Sequence, residues 1–276
     1  MPESAGHSSS LLVDMGNSRI KWAWGHAGTL KTGKPFPSSA QGLDEMLSSC
    51  WQQGPAPKDV WIANVARLEQ VQTLEAWITA HWHCPLHHAR SARSAPGVTN
   101  GYLQPEKLGV DRWMSLLAVR HRYALPVCVV GCGTALTVDV LDLDGQHLGG
   151  LISPGLRLMT ESLTRETAGI RDALADAPDN PSDIGSGLDG WLGRNTRACV
   201  TGGALLACQA LIREVCSLLR QRYRDRFVLV LTGGDADTLA RGLGVPLHME
   251  PDLVLWGLLQ CSEARTATVP EPAHHT

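Results

Sequence analysis

Two segments of this chain have the same shape. Leu11-Leu12-Val13-Asp14-Met15-Gly16-Asn17-Ser18-Arg19-Ile20-Lys21 and Val129-Val130-Gly131-Cys132-Gly133-Thr134-Ala135-Leu136-Thr137-Val138-Asp139 each run an apolar strand into a turn of glycine and small polar residues, then back out as a strand. Such a turn exposes backbone N–H groups, and glycine, lacking Cβ and able to reach positive φ, lets a phosphate come close. The doubling predicts two related α/β halves with a nucleotide clasped between their turns. A Walker loop would lead into a helix and read GxxxxGK[ST]; here the returning element reads as a strand, which argues against a P-loop.

The surrounding pattern repeats the same order. Residues 11–24 alternate strongly enough for a hairpin closed by Gly16-Asn17-Ser18. A helix over 42–53, a strand over 60–65, a helix over 68–81 and a Pro- and Gly-punctuated stretch over 96–102 follow. The first long amphipathic helix covers 107–123, with Leu108, Asp111 and Arg112 at its start. Strands over 127–130, 136–143 and 147–151 then restart the pattern. Helices are expected over 156–163 and 196–222, with an irregular segment over 177–193 between them. A buried strand over 227–231 enters Thr232-Gly233-Gly234, followed by a helix to Leu243 and a last helix over 252–264.

At 276 residues the chain is sized for two modest domains, assigned to 11–119 and 120–264, with 1–10 and 265–276 as flexible termini. A formal net charge of −3 lacks the basic footprint of a nucleic-acid binder and points to a small substrate. The polar N-terminus has no apolar signal core, and no segment reads as the ~18 apolar residues of a membrane span. Eight cysteines without a CxxC pair, several inside apolar runs, read as reduced thiols of a cytoplasmic protein. His81-x-His83-Cys84-x-x-His87-His88 has zinc-type donors but no second ligand pair at the usual spacing, and is not assigned a metal.

The motifs carry a resemblance. Asp14-x-Gly16-Asn17-Ser18-x-x-Lys21, Thr134-Ala135-x-Thr137-x-Asp139 and Thr232-Gly233-Gly234 resemble the phosphate-1, phosphate-2 and adenosine loops of the actin/Hsp70/hexokinase-type ATPase superfamily. Tyr102-x-x-Pro105-x-x-Leu108-Gly109-Val110-Asp111-Arg112 resembles the signature of type III pantothenate kinases, as do Gly149-Gly150-x-Ile152-x-Pro154-Gly155, Gly193-Arg194-Asn195-Thr196 and Pro251-Asp252-Leu253-Val254-Leu255-x-Gly257-Leu258. The match spans residues 11–260. It implies two duplicated ribonuclease H-like (actin-like ATPase) domains, a homodimer, and ATP-dependent phosphorylation of pantothenate, the first step of coenzyme A synthesis. ATP with Mg2+ or another divalent metal is implied, along with a monovalent cation, K+ or NH4+.

That resemblance assigns ATP binding to Asp14, Met15, Gly16, Asn17, Ser18, Arg19, Ile20, Lys21 and Thr134. It assigns pantothenate binding to Tyr102, Gly109, Val110, Asp111, Arg112 and Thr196. The chemistry of the side chains supports each, beside a plainer role. A carboxylate at Asp14 suits Mg2+, or an Asx turn. Lys21 suits a phosphate, or solvent. Asp111 is the expected catalytic base for the acceptor hydroxyl, and equally a helix N-terminal aspartate favoured by the dipole. Arg112 offers a planar fork for the acceptor's carboxylate, or a surface ion pair. Thr196 is a substrate contact, or simply an N-cap. One position departs from the family: the residue three before Thr134 is usually an aspartate that ligates the monovalent cation, and here it is Gly131. The cation is then held by other oxygens, replaced by water, or not required. A catalytically weak or inactive nucleotide-binding regulator of the same fold is the alternative.

Overall fold

The computed structural model describes residues 9–38, 42–52, 54–175 and 192–268. The expectations for residues 1–8, 177–191 and 269–276 lie outside them. Among the described residues two compact units emerge, one of 9–124, 144–147 and 252–268, the other of 125–143 and 148–251.

The first unit opens with β1 (Ser10–Met15) and β2 (Arg19–His26), an antiparallel pair whose register sets Asp14 opposite Lys21 and Met15 opposite Ile20. β3 (Thr29–Thr32) and the short β4 (Phe36–Pro37) extend it. The helix α1 (Leu43–Trp51), β5 (Val60–Asn64), α2 (Leu68–His81) and β6 (Leu86–His88) follow. The sheet order is β3-β2-β1-β5-β6, with β5 parallel to β1. Leu11, Leu12 and Val13 are consecutive yet all closed from solvent, the mark of a central strand covered on both faces.

On one face Val71, Leu74, Trp77 and Ile78, spaced for one stripe of α2, meet Leu47 and Trp51 of α1. Trp51 stands edge-on to both Trp22 and Trp77 at 5.8 Å, the preferred arrangement of two quadrupoles. Each such side chain contributes about 1.5–3 kcal/mol by leaving water. A small hairpin, β7 (Ser94–Ala95) and β8 (Val98–Thr99), and a 3-10 turn at Pro105–Lys107 lead into α3 (Val110–Arg122). The helix starts three residues later than its amphipathic pattern, because Pro105 and the extended Leu108 and Gly109 hold the chain out of α geometry until Val110.

The second unit repeats the plan. β9 (Val127–Cys132), β10 (Ala135–Leu141) and β11 (His147–Pro154) form the antiparallel meander. α4 (Leu156–Glu166), α5 (Ala168–Ala175) and α6 (Thr196–Tyr223) precede β12 (Val228–Thr232), α7 (Ala236–Ala240) and β13 (His248–Met249). Its order, β11-β10-β9-β12-β13, matches β3-β2-β1-β5-β6 position for position once the short β4, which pairs with β2 off that path, is set aside, and β12 is parallel to β9 as β5 is to β1. The duplication written in the two turns is therefore a duplication of the whole sheet.

The membrane expectation needs one correction. α6 contains a window long and apolar enough, by length and composition, to cross a bilayer. Part of that apolarity serves the core: Cys208, Ile212, Val215 and Cys216 pack against Val130, Leu136 and Leu229 of the sheet. The last helix, α8 (Leu253–Thr268), does not stay with the second half of the sequence, to which 120–264 was assigned; from Asp252 onward the chain belongs to the first unit. There α8 packs with α3 and β1, with Leu253, Leu255, Leu258 and Leu259 all buried.

Candidate active site

Three chain ends converge in the first unit. Asp14 is the next-to-last residue of β1, α3 begins at Val110, and α8 begins after Asp252, whose carbonyl accepts from Trp256 N at 3.1 Å in the first turn of the helix. Asp14 keeps part of its surface open to solvent, while its carboxyl is crowded by protein. Burial pushes its pKa up to about 7; Lys21 opposes the shift, and the negative charges of Asp111 and Asp252 add to it. The site is thus a group of three carboxylates facing one lysine.

The phosphate-type turn between β1 and β2 is closed by Gly16 N donating to Arg19 O at 3.0 Å. Ser38 braces it from outside, its N donating to Ser18 O at 3.2 Å and its Oγ to Asn17 O at 2.8 Å. Asn17, Ser18 and Arg19 are exposed, whereas Met15 and Ile20 are fully buried in the core. Those two can meet a nucleotide only through their main chain. Nothing local in the sequence marks Ser38 for this role, because the turn it braces lies about twenty residues earlier in the chain.

The acceptor side is built on the start of α3. Gly109 is the N-cap and bears no capping side chain; a Cβ there would stand 2.7 Å from Asp111 Oδ1, so glycine is what lets the carboxylate lie back over the helix end. Asp111 O accepts from Ser115 Oγ at 2.8 Å. Arg112 is buried rather than on the surface, and donates a charge-assisted bond from Nη1 to the Tyr102 hydroxyl at 2.6 Å. Tyr102 is held in turn by its N donating to Asn100 Oδ1 at 3.0 Å, and Asn100 Nδ2 donates to Ala92 O and Pro105 O.

In the second unit Thr134 sits in the β9–β10 turn, its carbonyl accepting from Gly155 N at 2.9 Å. Gly131 lies opposite Thr137 across the ladder, and a Cβ on it would stand 2.5 Å from Thr137 Oγ1. The space beside Gly131 is filled by the Thr137 hydroxyl, and Gly131 itself offers no side-chain ligand for a cation. Beside it, burial and Asp235 push the Cys132 thiol up to about 12, which removes it as a nucleophile. Thr196 opens α6, but the N-cap is Asn195, whose Oδ1 accepts from Ala198 N at 2.8 Å. The plain capping role for Thr196 is thereby overturned: the residue before it has β geometry and does the capping.

The histidine-rich stretch is engaged elsewhere. His81 stacks on Trp77 at 4.2 Å, His88 pairs with Glu75 at 2.9 Å, and His87 meets Arg265 at 3.1 Å. Among the described residues no three His, Cys, Asp or Glu side chains form a closed metal cage. A divalent cation that keeps its waters and binds through one or two carboxylates and phosphate oxygens needs no such cage, and the Asp14 group fits it.

Doubled sheets, a glycine turn beside crowded carboxylates and an aspartate at a helix start define an actin-like ATPase fold equipped for phosphoryl transfer. A family model described as type III pantothenate kinase matches residues 10–218. A type III pantothenate kinase of Nitrosococcus oceani is 36% identical over 263 residues, covering 92% of this chain and 93% of that protein. One of Burkholderia thailandensis is 36% identical over 252 residues, covering 90% and 95%. The chain belongs to the type III pantothenate kinase family. Among solved structures, a Sinorhizobium meliloti protein described provisionally as a 2-dehydro-3-deoxygalactonokinase aligns with a TM-score of 0.55 at 15% identity, covering 94% of this chain and all of that one, a likeness of fold alone.

Proposed function

We propose that this chain phosphorylates pantothenate with the γ-phosphoryl group of ATP, giving 4′-phosphopantothenate, with Asp111 accepting the proton of the attacking primary hydroxyl. The observation that carries the reading is the Asp111-Arg112 pair at the uncapped start of α3, within the electrostatic reach of Asp14 at the phosphate-type turn. The turn from Gly16 to Arg19 holds phosphate oxygens through backbone N–H groups, and Lys21 adds a point charge. Asp14 and Asp252 are the residues to hold a divalent cation, which when bound would neutralise charge on the β- and γ-phosphates. Asp111 orients the acceptor hydroxyl as well as taking its proton, because in a loose transition state position counts as much as basicity. Arg112, with Tyr102 behind it, presents its fork to the acceptor's carboxylate. On the second unit, the family resemblance assigns Thr134 to the nucleotide and Thr196 to the acceptor.

With Gly131 in place of the cation-ligating aspartate, turnover has no strong requirement for K+ or NH4+. The protein is cytoplasmic and homodimeric on this reading, in keeping with its free cysteines and with Leu151 and Ile152 exposed on the edge strand β11. Arg112→Lys tests the acceptor assignment. It loses the planar fork, so the KM for pantothenate is expected to rise about tenfold or more while the KM for ATP stays put. Movement of the ATP constant alone in steady-state assays would reassign Arg112 to the nucleotide.

A further inference from the structure

Arg112 is aimed by Tyr102, and Tyr102 is itself backed by a ring from far along the chain. The turn Asp144–His147 belongs to the first unit. Thr99 N donates to Gly145 O at 2.9 Å, Gln146 forms an isolated parallel bridge with Thr99, and Gln146 Nε2 donates to His147 O at 3.0 Å. Gly145 has φ +86°, and a Cβ on it would overlap the Gly97 carbonyl, so the approach of this turn to the β7–β8 hairpin depends on glycine. The turn delivers His147, 1% exposed, with its ring parallel to that of Tyr102: centroids 5.9 Å apart, planes 17° apart. On its other side the Tyr102 hydroxyl accepts from Arg112 Nη1 at 2.6 Å.

A tyrosine in a loop has two torsions to lose, and an arginine more. A binding fork is effective only when held within about 0.5 Å and 10–20° of its working geometry. The flat imidazole fixes the plane of the phenol, and the phenol fixes where the guanidinium points. We propose that His147 is a positioning residue for acceptor recognition, setting the direction of Arg112 through the stacked ring of Tyr102. This rests on the assignment of Arg112 to the carboxylate of pantothenate. On this proposal His147 acts through Tyr102, so its effect is confined to the acceptor's KM.

The experiment is steady-state kinetics on His147→Leu, which keeps a buried side chain of similar bulk but no flat face, beside His147→Phe, which restores a ring. His147→Leu is expected to raise the pantothenate KM about tenfold, with kcat and the ATP KM within about twofold of wild type. His147→Phe is expected to bring the pantothenate KM back to within about twofold. In a Tyr102→Leu background, His147→Leu should add nothing, since the link it acts through is gone. An unchanged pantothenate KM in His147→Leu, or equal losses in kcat and both KM values that Phe does not rescue, overturns the positioning role. If His147→Leu does not fold, Gly145→Ala reads the same link from the turn: the pantothenate KM rises if His147 acts through this path and stays if it does not. Arg112→Lys, run alongside, separates the two claims. If Arg112→Lys raises the pantothenate KM and His147→Leu does not, only the positioning role fails; if Arg112→Lys leaves it unchanged, the acceptor assignment fails and takes this inference with it.

Discussion

The two glycine turns close equivalent hairpins in equivalent sheets, and they differ where charge is concerned. In the first, the next-to-last ladder pair is Asp14 opposite Lys21; in the second, the pair at the same place is Gly131 opposite Thr137. An Asp-x-Gly in one half has become a Gly-x-Gly in the other. The first turn gathers Asp14, Asp111 and Asp252 and strains the ionisation of the first of them, whereas the second presents a hydroxyl and main-chain groups. A duplicated frame has thus kept its backbone plan and divided its charge, with the carboxylates gathered at the first turn and a neutral hydroxyl at the second.

The sharpest way to break this division is Asp111→Asn. If the charged half carries the proton transfer, kcat falls by roughly 10²–10⁴-fold while ATP still binds, read by coupled ADP release and by nucleotide titration. Wild-type turnover in that variant would take Asp111 out of the chemistry. Gly131→Asp tests the neutral half by giving back the carboxylate. Its Cβ crowds Thr137 Oγ1, so urea unfolding should show a loss of about 1–3 kcal/mol. Wild-type turnover should be alike in sodium, potassium and ammonium buffers, with the variant acquiring a preference among them. A potassium requirement in the wild type would mean that other oxygens hold the ion.

The smallest effect expected is on stability against pH. Because the folded-state pKa of Asp14, about 7, lies above its ordinary 3.8, the folded protein favours the protonated acid. That stabilisation is present in full below about pH 4 and is lost as pH rises through 7. In metal-free buffer the melting temperature of Asp14→Asn should therefore gain on that of the wild type between pH 5 and 8. A gap that does not change with pH would mean Asp14 ionises as an ordinary surface aspartate.

Much of this was legible in the residues because it is local. Val13-Asp14-Met15-Gly16 reads as a strand ending at a turn, and Leu68–His81 is the helix its spacing specifies to the residue. The edge strand β6 went unread, since three residues with two histidines make no pattern without a neighbouring strand to pair with. Asp252 was seen as part of a motif and given no electrostatic role. Its charge matters only because α8 returns to pack beside β1.

By itself the sequence determined the doubled strand, turn, strand plan and the aspartate and arginine at the start of α3, because backbone preference and side-chain period act over a few residues. The tertiary structure alone decided that Asp14 resists ionising, that Thr137 fills the space beside Gly131, and that His147 lies flat on Tyr102. Each of those depends on desolvation, overlap or contact between groups brought together only when the chain folds, and no local spacing records them.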